Sequence, residues 1–488
     1  MTEIKQEIYA YIEGADQFLE FRSFSGKSLI EWCKPLVESL TPDGAVPYLL
    51  ESSRERYRAS PLASVLISMN AAKLLPDSAV DIMQKKLLFL RDDALADDIH
   101  KGTVQKKPED EAGWSLAEGV SVWSTSLAVI ALLENNRIGI KKSDEYKSSV
   151  LWLADQKEAG KQGWGYQCWS NCEQNVVMTA LALRALVLAY KEKTHFGFSE
   201  DEEKKIINSI TGGIEFLKHE LVVKRKYACW HFKGKPHCAA TVWALLALKE
   251  YVSTDIGKET EIFYRRHLKK VIYFVLDKIP KKSKKWDSEQ IVCEAGAKYS
   301  KQKNYYSFSA TLLLELFSLG VSPYHPKVIN QIRWLLHHVG EWKIDEYDKA
   351  DKCSFTYAML LSVIARWGML VGKENAKILA VFSGNFLERF AEKIYGMPWM
   401  KGYCYQIIYK PQAVVNLAFI IILLAGIANL SRLWGFVKNM AAWFWNLIGN
   451  SQNDLIVGII ASVMATAIIS FVMGAYHFAR EHIGRYGI

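Results

Sequence analysis

Three cysteines open apolar runs in this 488-residue chain: Cys172, Cys238 and Cys353. His237 precedes Cys238, and Asp351 lies two residues before Cys353. Cysteine, histidine and aspartate are all zinc ligands. A thiol near a helix N-terminus is also where thiolate is favoured. If the three runs are equivalent helices of a repeat, their thiols share one register and one rim. The expected chemistry is then a catalytic set of Asp351, Cys353 and Cys172, with zinc held by His237, Cys238 and Cys353. The same residues equally fit small, buried helix-start positions. Cys229-Trp230-His231 with His237-Cys238 puts the same ligand types within one loop. Two acidic runs, Asp92-Asp93-Ala94-Leu95-Ala96-Asp97-Asp98 and Asp345-Glu346-Tyr347-Asp348-Lys349-Ala350-Asp351, read as solvated turns.

The elements that position these residues recur along the chain. An Ala/Leu-rich run appears at Tyr57, Ser121, Cys172, Cys238, Tyr306 and Cys353, with starts roughly 50–70 residues apart. Three positions on, each copy carries a small polar residue: Ser60, Ser124, Asn175, Thr241, Ser309 or Thr356. Amphipathic segments beginning at Ile82, Ser149, Gly213, Val271 and Ile329 precede the later copies, with apolar residues at three- and four-residue spacing. The apolar runs predict buried inner helices and the amphipathic ones outer helices. Proline is scarce, at 12 residues, and helix is expected almost throughout. About six helix pairs closed into a ring cover every apolar face without capping repeats; the same periodicity also allows an open solenoid.

Half of the residues are hydrophobic, 12% aromatic and 23% charged, which excludes a wholly disordered chain. Lys and Arg number 61 against 52 Asp and Glu, a net +9. That balance is too mild for a dedicated nucleic-acid binder, and no nucleic-acid partner is expected. Eight cysteines with no Cys-x-x-Cys pair predict reduced thiols. Ala413–Leu430 and Leu455–Phe478 contain no Lys, Arg, Asp or Glu. Each is long enough to cross a hydrocarbon core of about 30 Å. The expected organisation is a cytoplasmic domain over 1–395 and a membrane anchor over 396–488 with two transmembrane helices. Its partners are the lipid bilayer, a lipidic small molecule or a protein, and a homo-oligomer could form through the hairpin. The basic runs Lys281-Lys282-Ser283-Lys284-Lys285 and Lys224-Arg225-Lys226 read as solvated loops, with a diphosphate or an anionic lipid headgroup as a target.

Between outer and inner segments lie Gly/Trp-rich loops, clearest at Asp110-Glu111-Ala112-Gly113-Trp114 and Gly163-Trp164-Gly165-Tyr166. With the helices that follow, they resemble the repeats of squalene and oxidosqualene cyclases and of protein-prenyltransferase β subunits, over roughly residues 45 to 370. The resemblance implies an all-α fold, an α/α toroid of about six helix pairs, to which the two C-terminal transmembrane helices are added. It also implies a membrane-anchored protein that binds or processes an isoprenoid or other lipidic ligand. Asp351-Lys352-Cys353 resembles the Asp-x-Cys that holds catalytic zinc in the prenyltransferases. In that family a His follows one repeat on; here none follows until His477. The Asp-x-Asp-Asp acid of the cyclases is absent. Cys172-Glu173-Gln174-Asn175 lies where complement-like thioester domains carry Cys-Gly-Glu-Gln-Asn, without the glycine. By analogy with isoprenoid enzymes, Trp114, Trp123, Trp164, Trp230 and Trp243 are the substrate-binding candidates, their faces able to stabilise cations, with helix packing as the other reading. The alternative function is a non-catalytic toroid that senses a ligand or partner and is coupled to a transmembrane hairpin acting as a membrane effector or pore.

Overall fold

A computed structural model describes residues 3–19, 28–47, 50, 58–100, 113–114, 120–134, 141–156, 162–165, 173–279, 305–337 and 353–372. All of these except 324–326 belong to one compact unit. The two apolar C-terminal stretches lie outside the described residues. In chain order the main helices are α1 (Glu3–Leu19), α2 (Leu29–Ser39), α3 (Ala59–Ala71), α4 (Asp77–His100), α5 (Val122–Leu133), α6 (Ser143–Asp155), α7 (Val176–Lys191), α8 (Glu200–His219), α9 (Cys238–Val252), α10 (Glu261–Asp277), α11 (Tyr305–Ser318), α12 (Pro326–His337) and α13 (Ser354–Val371).

The odd-numbered helices from α3 to α13 are the inner ring. Each packs against the next in order, and α13 packs back on α3. The closure joins residues far apart in sequence: Arg366 on α13 donates to the Ala71 carbonyl at the end of α3 at 3.0 Å, and Tyr357 on α13 donates to the Trp32 carbonyl on α2. The periodicity allowed a solenoid as well; the contact between α13 and α3 makes it a toroid. Composition explains which helix goes inside. α7, VVMTALALRALVLAYK, is apolar nearly all round and buried over most of its length. α8, EDEEKKIINSITGGIEFLKH, buries one stripe, Ile206, Ile210, Gly213, Ile214 and Leu217, and turns its charges outward. α8 opens with a capping box in which Ser199 and Glu202 satisfy each other's backbone N–H.

One arrangement holds outer to inner helix in three successive repeats. Trp114, Trp164 and Trp230 lie in the connecting segments, fully buried. Their indole N–H groups donate to the carbonyls of Leu87, Leu153 and Leu217 on the outer helices at 2.8, 2.8 and 2.7 Å. Their backbone N–H groups donate to the hydroxyls of Thr125, Thr179 and Thr241 on the inner helices at 3.0, 2.9 and 3.0 Å. Their carbonyls accept from the backbone N–H of Ser121, Asn175 and His237 at 3.1, 3.0 and 3.1 Å. Those three residues are the N-caps of α5, α7 and α9, and each side chain accepts from the backbone three positions on. Close approach explains the glycines before two of the tryptophans. A Cβ on Gly163 would stand 2.7 Å from the Thr179 hydroxyl, and one on Gly113 2.7 Å from that of Thr125.

Two expectations are corrected here. Helix was expected almost throughout, yet β1 (Leu221–Val223), β2 (Ala228–Phe232) and β3 (Lys235–Pro236) form an antiparallel sheet in the order β1-β2-β3 between α8 and α9. Its register pairs Val222 with Cys229 and His231 with Pro236, and Lys233 and Gly234 make the second turn with positive φ. The acidic run Asp92–Asp98 lies within helix α4 rather than in a turn.

The bracket gives a stability prediction. Thr179→Val leaves the buried Trp164 N–H without its acceptor and should destabilise the ring by about 1–3 kcal/mol. Gly163→Ala should cost a similar ~1–3 kcal/mol by crowding the same hydroxyl. Both are read from the midpoint of urea unfolding against wild type. An unchanged midpoint in both would remove the bracket from the list of stabilising contacts.

Candidate functional site

The lumen of the ring is identified by contacts that skip a helix. α5 and α9 are separated in the ring by α7, yet Trp123 on α5 and Trp243 on α9 meet with ring centroids 5.9 Å apart, tilted by 56°. The outer side of α7 is covered by α8, so this meeting takes place inside the ring. On α7 itself, Arg184 holds Glu134 at the end of α5 and, at 3.4 Å, Glu315 on α11. In the ring order, α5 and α11 stand opposite each other. One guanidinium therefore bridges carboxylates from opposite walls.

The two features lie at different depths. Trp123 is at the start of α5 and Glu134 just past its end, so at 1.5 Å per residue they are about 16 Å apart along the axis. Trp123 and Trp243 occupy the half nearer the inner-helix N-termini. Thr311 on α11 donates to the Met359 sulfur on its ring neighbour α13 at 3.3 Å. The triad occupies the other half. Its side chains retain some exposure, 13% for Arg184, 24% for Glu134 and 16% for Glu315, so water reaches them.

Electrostatics within the triad are unequal. Two carboxylates face one guanidinium, so one negative charge lacks a full partner. Burial pushes the Glu315 carboxyl above the usual carboxylate range; Arg184 pulls it down, and Glu134 pushes it further up. Burial works against the Arg184 charge, but Glu134, Glu315 and Glu250 outweigh it and strengthen its hold on the proton. Arg184 therefore stays charged, and the Glu315 carboxyl holds its proton above the usual carboxylate range. Toward the C-terminal ends of α7 and α9, Lys191 pairs with Glu250 at 2.5 Å.

The residues singled out in the sequence are distributed differently from their expected rim. His237 is the N-cap of α9, its Nδ1 accepting from the Ala240 N–H at 3.1 Å, and Cys238 is the first residue inside that helix. Cys353 is the N-cap of α13. The Trp–Thr bracket aligns Thr125, Thr179 and Thr241, which makes His237 equivalent to Asn175 and Ser121. Cys172 falls three residues before that cap rather than at it. Cys172 and Asp351 lie outside the described residues. Among the described residues no three His, Cys, Asp or Glu side chains are grouped as a metal site. Cys33, Cys229, Cys238 and Cys353 are buried thiols rather than disulfides, and burial pushes the Cys229 thiol up to about 11. Of the five tryptophans, Trp114, Trp164 and Trp230 lie in the wall between outer and inner helices, and Trp123 and Trp243 line the lumen. Sequence reasoning missed Arg184, Glu134 and Glu315. Their signal was a charge inside an apolar run, as in Val176-VMTALALRALVLAY and Thr311-LLLELF.

No protein-family model matches the chain, and no curated protein sequence matches it. Solved structures resemble it at low identity. An inactive variant of the α-1,6-mannanase GH76A of Salegentibacter sp. HEL1_6, in complex with α-1,6-mannotriose, aligns with 13% identity over 74% of this chain and 99% of its own, at a TM-score of 0.42. The GH76A enzyme without that ligand gives 13% identity, the same coverages and a TM-score of 0.41. A glycosidase variant in complex with glucose gives 10% identity over 74% of this chain and 98% of its own, at a TM-score of 0.44.

The functional expectation drawn from the sequence is corrected. The structures just named are glycoside hydrolases, not prenyltransferases or terpene cyclases. Physically, an isoprenoid chain in this lumen would have to cover Arg184, Glu134 and Glu315, and stripping water from three charged groups opposes apolar binding. The alternative, a sensing ring coupled to a membrane effector, gains no support either. One described helix, Ser354–Val371, is long and apolar enough to cross a membrane, but it is inner helix α13 and 67% buried.

Arg184→Met leaves two carboxylates facing each other across the lumen. At neutral pH it should cost roughly 2–3 kcal/mol, the lower end for losing one partner of an ion cluster because these groups keep some solvent. The sign of the pH dependence follows from the raised Glu315: the native state binds that proton more tightly than the unfolded chain, so stability falls as pH rises above the usual carboxylate range. The variant's deficit should therefore shrink on moving from pH 7.5 to pH 5, as read by chemical denaturation at both. A deficit independent of pH would contradict the triad's charge balance.

Proposed function

We propose that the lumen is the functional site and that it binds and hydrolyses a carbohydrate. The observation that carries this reading is a pair of carboxyl groups, Glu315 and Glu134, reaching one water-accessible lumen from opposite helices. Cleaving a glycosidic bond needs one carboxyl that still holds its proton near neutrality, to protonate the leaving oxygen. It needs a second, ionised carboxylate to activate water or attack the sugar. Glu315, raised by burial, suits the acid, and Glu134 the partner. Trp123 and Trp243 supply flat apolar faces of the kind that stack on the C–H faces of one pyranose, while Arg184 and the carboxylates suit the hydroxyls of a further sugar deeper in the lumen.

The test uses purified full-length chain with a panel of α- and β-linked oligosaccharides, following reducing-end release and, by calorimetry, binding. Glu315→Gln should lower turnover by roughly 100-fold or more while binding changes only a few-fold. Wild-type turnover should fall as pH rises through the raised range of Glu315. Absence of both binding and hydrolysis across the panel would refute the reading. Loss of stability in Glu315→Gln without any carbohydrate effect would assign the triad to holding the ring alone.

We further propose that Ala413–Leu430 and Leu455–Phe478 tether the ring to a membrane, with the ring in the cytoplasm. The support is their freedom from charged residues over a spanning length. The full chain should resist extraction from membranes by alkaline carbonate, and a chain ending at residue 395 should be released. Equal release of both would remove the tether.

A further inference from the structure

A basic and apolar face stands on the outside of the ring, away from the lumen. Along α10, Ile262, Arg265, Arg266, Lys269 and Tyr273 are exposed and fall on one stripe. The opposite side of α10 buries Val271, Phe274 and Val275. Ile262 is 70% exposed and Tyr273 49%. Beside them, the turn between β1 and β2 exposes Lys224, Arg225 and Lys226, next to Val223 at 46%. The turn and the helix form one surface. Lys270 Nζ donates to the Lys224 carbonyl at 3.5 Å, and the Tyr227 and Phe274 rings lie 5.5 Å apart. The acids at either end of the stripe are engaged: Glu261 with Arg265 at 2.6 Å and Asp277 with Lys327 at 3.7 Å.

We infer that this face docks on an anionic lipid bilayer. Lys224, Arg225, Lys226, Arg266 and Lys269 present positive charge to lipid phosphates and carboxylates. Ile262, Tyr273 and Val223 stand among these charges, where they enter the headgroup boundary and leave water. Charge alone would serve a nucleic acid equally well, but a phosphodiester backbone offers nothing to an isoleucine standing this far out. The apolar members therefore decide for lipid. The inference rests on neither the lumen reading nor the C-terminal tether, since it concerns a difference between anionic and neutral surfaces.

The experiment is flotation of the full chain with vesicles of phosphatidylcholine alone or with 30% phosphatidylserine, at 0.1 and 0.5 M salt. The serine-containing vesicles should bind roughly tenfold more tightly, and the preference should vanish in high salt. Charge reversal by Lys224→Glu with Lys226→Glu, and separately Arg266→Glu with Lys269→Glu, should each abolish the preference. Ile262→Asp with Tyr273→Asp should weaken anionic binding at both salt concentrations. Wild-type far-UV circular dichroism in each variant excludes misfolding as the cause. Equal partition into both vesicle types, or a preference untouched by charge reversal, overturns the inference. So does binding to a 30-base-pair DNA duplex that is tighter than binding to the anionic vesicles and indifferent to the apolar substitutions.

Discussion

The ring depends on a buried tryptophan that three helical repeats use in the same way. Its indole N–H fixes the outer helix, its backbone N–H fixes a threonine one turn into the inner helix, and its carbonyl receives the inner helix's N-cap. Each contact satisfies a polar group that burial would otherwise penalise. The bracket therefore sets both the depth and the rotation of each inner helix relative to its outer partner. Repeated at Trp114, Trp164 and Trp230, it gives α5, α7 and α9 a common register, and that register decides which of their side chains face the axis.

The lumen's chemistry follows from that rotation. Arg184 lies nine residues past its N-cap, Trp243 six past its own and Trp123 two past its own. They therefore line the axis at successive depths: rings toward the N-terminal mouth, ions toward the other. A charged residue inside an otherwise apolar helix is tolerable only if partners meet it, and the curved packing of the inner helices supplies them from α5 and α11. Burial raises the Glu315 carboxyl, and the second carboxylate, Glu134, adds to the rise.

Much of the scaffold was legible in the sequence. All six inner helices were found as apolar runs, because a helix buried on every side has to be apolar all round. The Gly-Trp loops pointed to the joints. Cysteine recurs at the openings of three runs but does not mark the register; the structure repeats a cap followed four residues later by threonine: Ser121 and Thr125, Asn175 and Thr179, His237 and Thr241. The sheet at 221–236 was missed because its strands are two to five residues long and carry no sustained alternation. The triad was missed for a different reason. Glu134, Arg184 and Glu315 are far apart in sequence and become neighbours only through the packing of successive inner helices, which no local pattern encodes.

The central claim is that α7 and α11, two places apart in the ring, turn Arg184 and Glu315 into one lumen. A double-mutant cycle between Arg184→Met and Glu315→Gln tests it most directly, since the two residues are 131 positions apart and meet only if α7 and α11 turn these faces inward past α9. Unfolding free energies of the two single variants and the double variant should reveal a coupling of about 1 kcal/mol or more. Additive effects, with a coupling indistinguishable from zero, would contradict it.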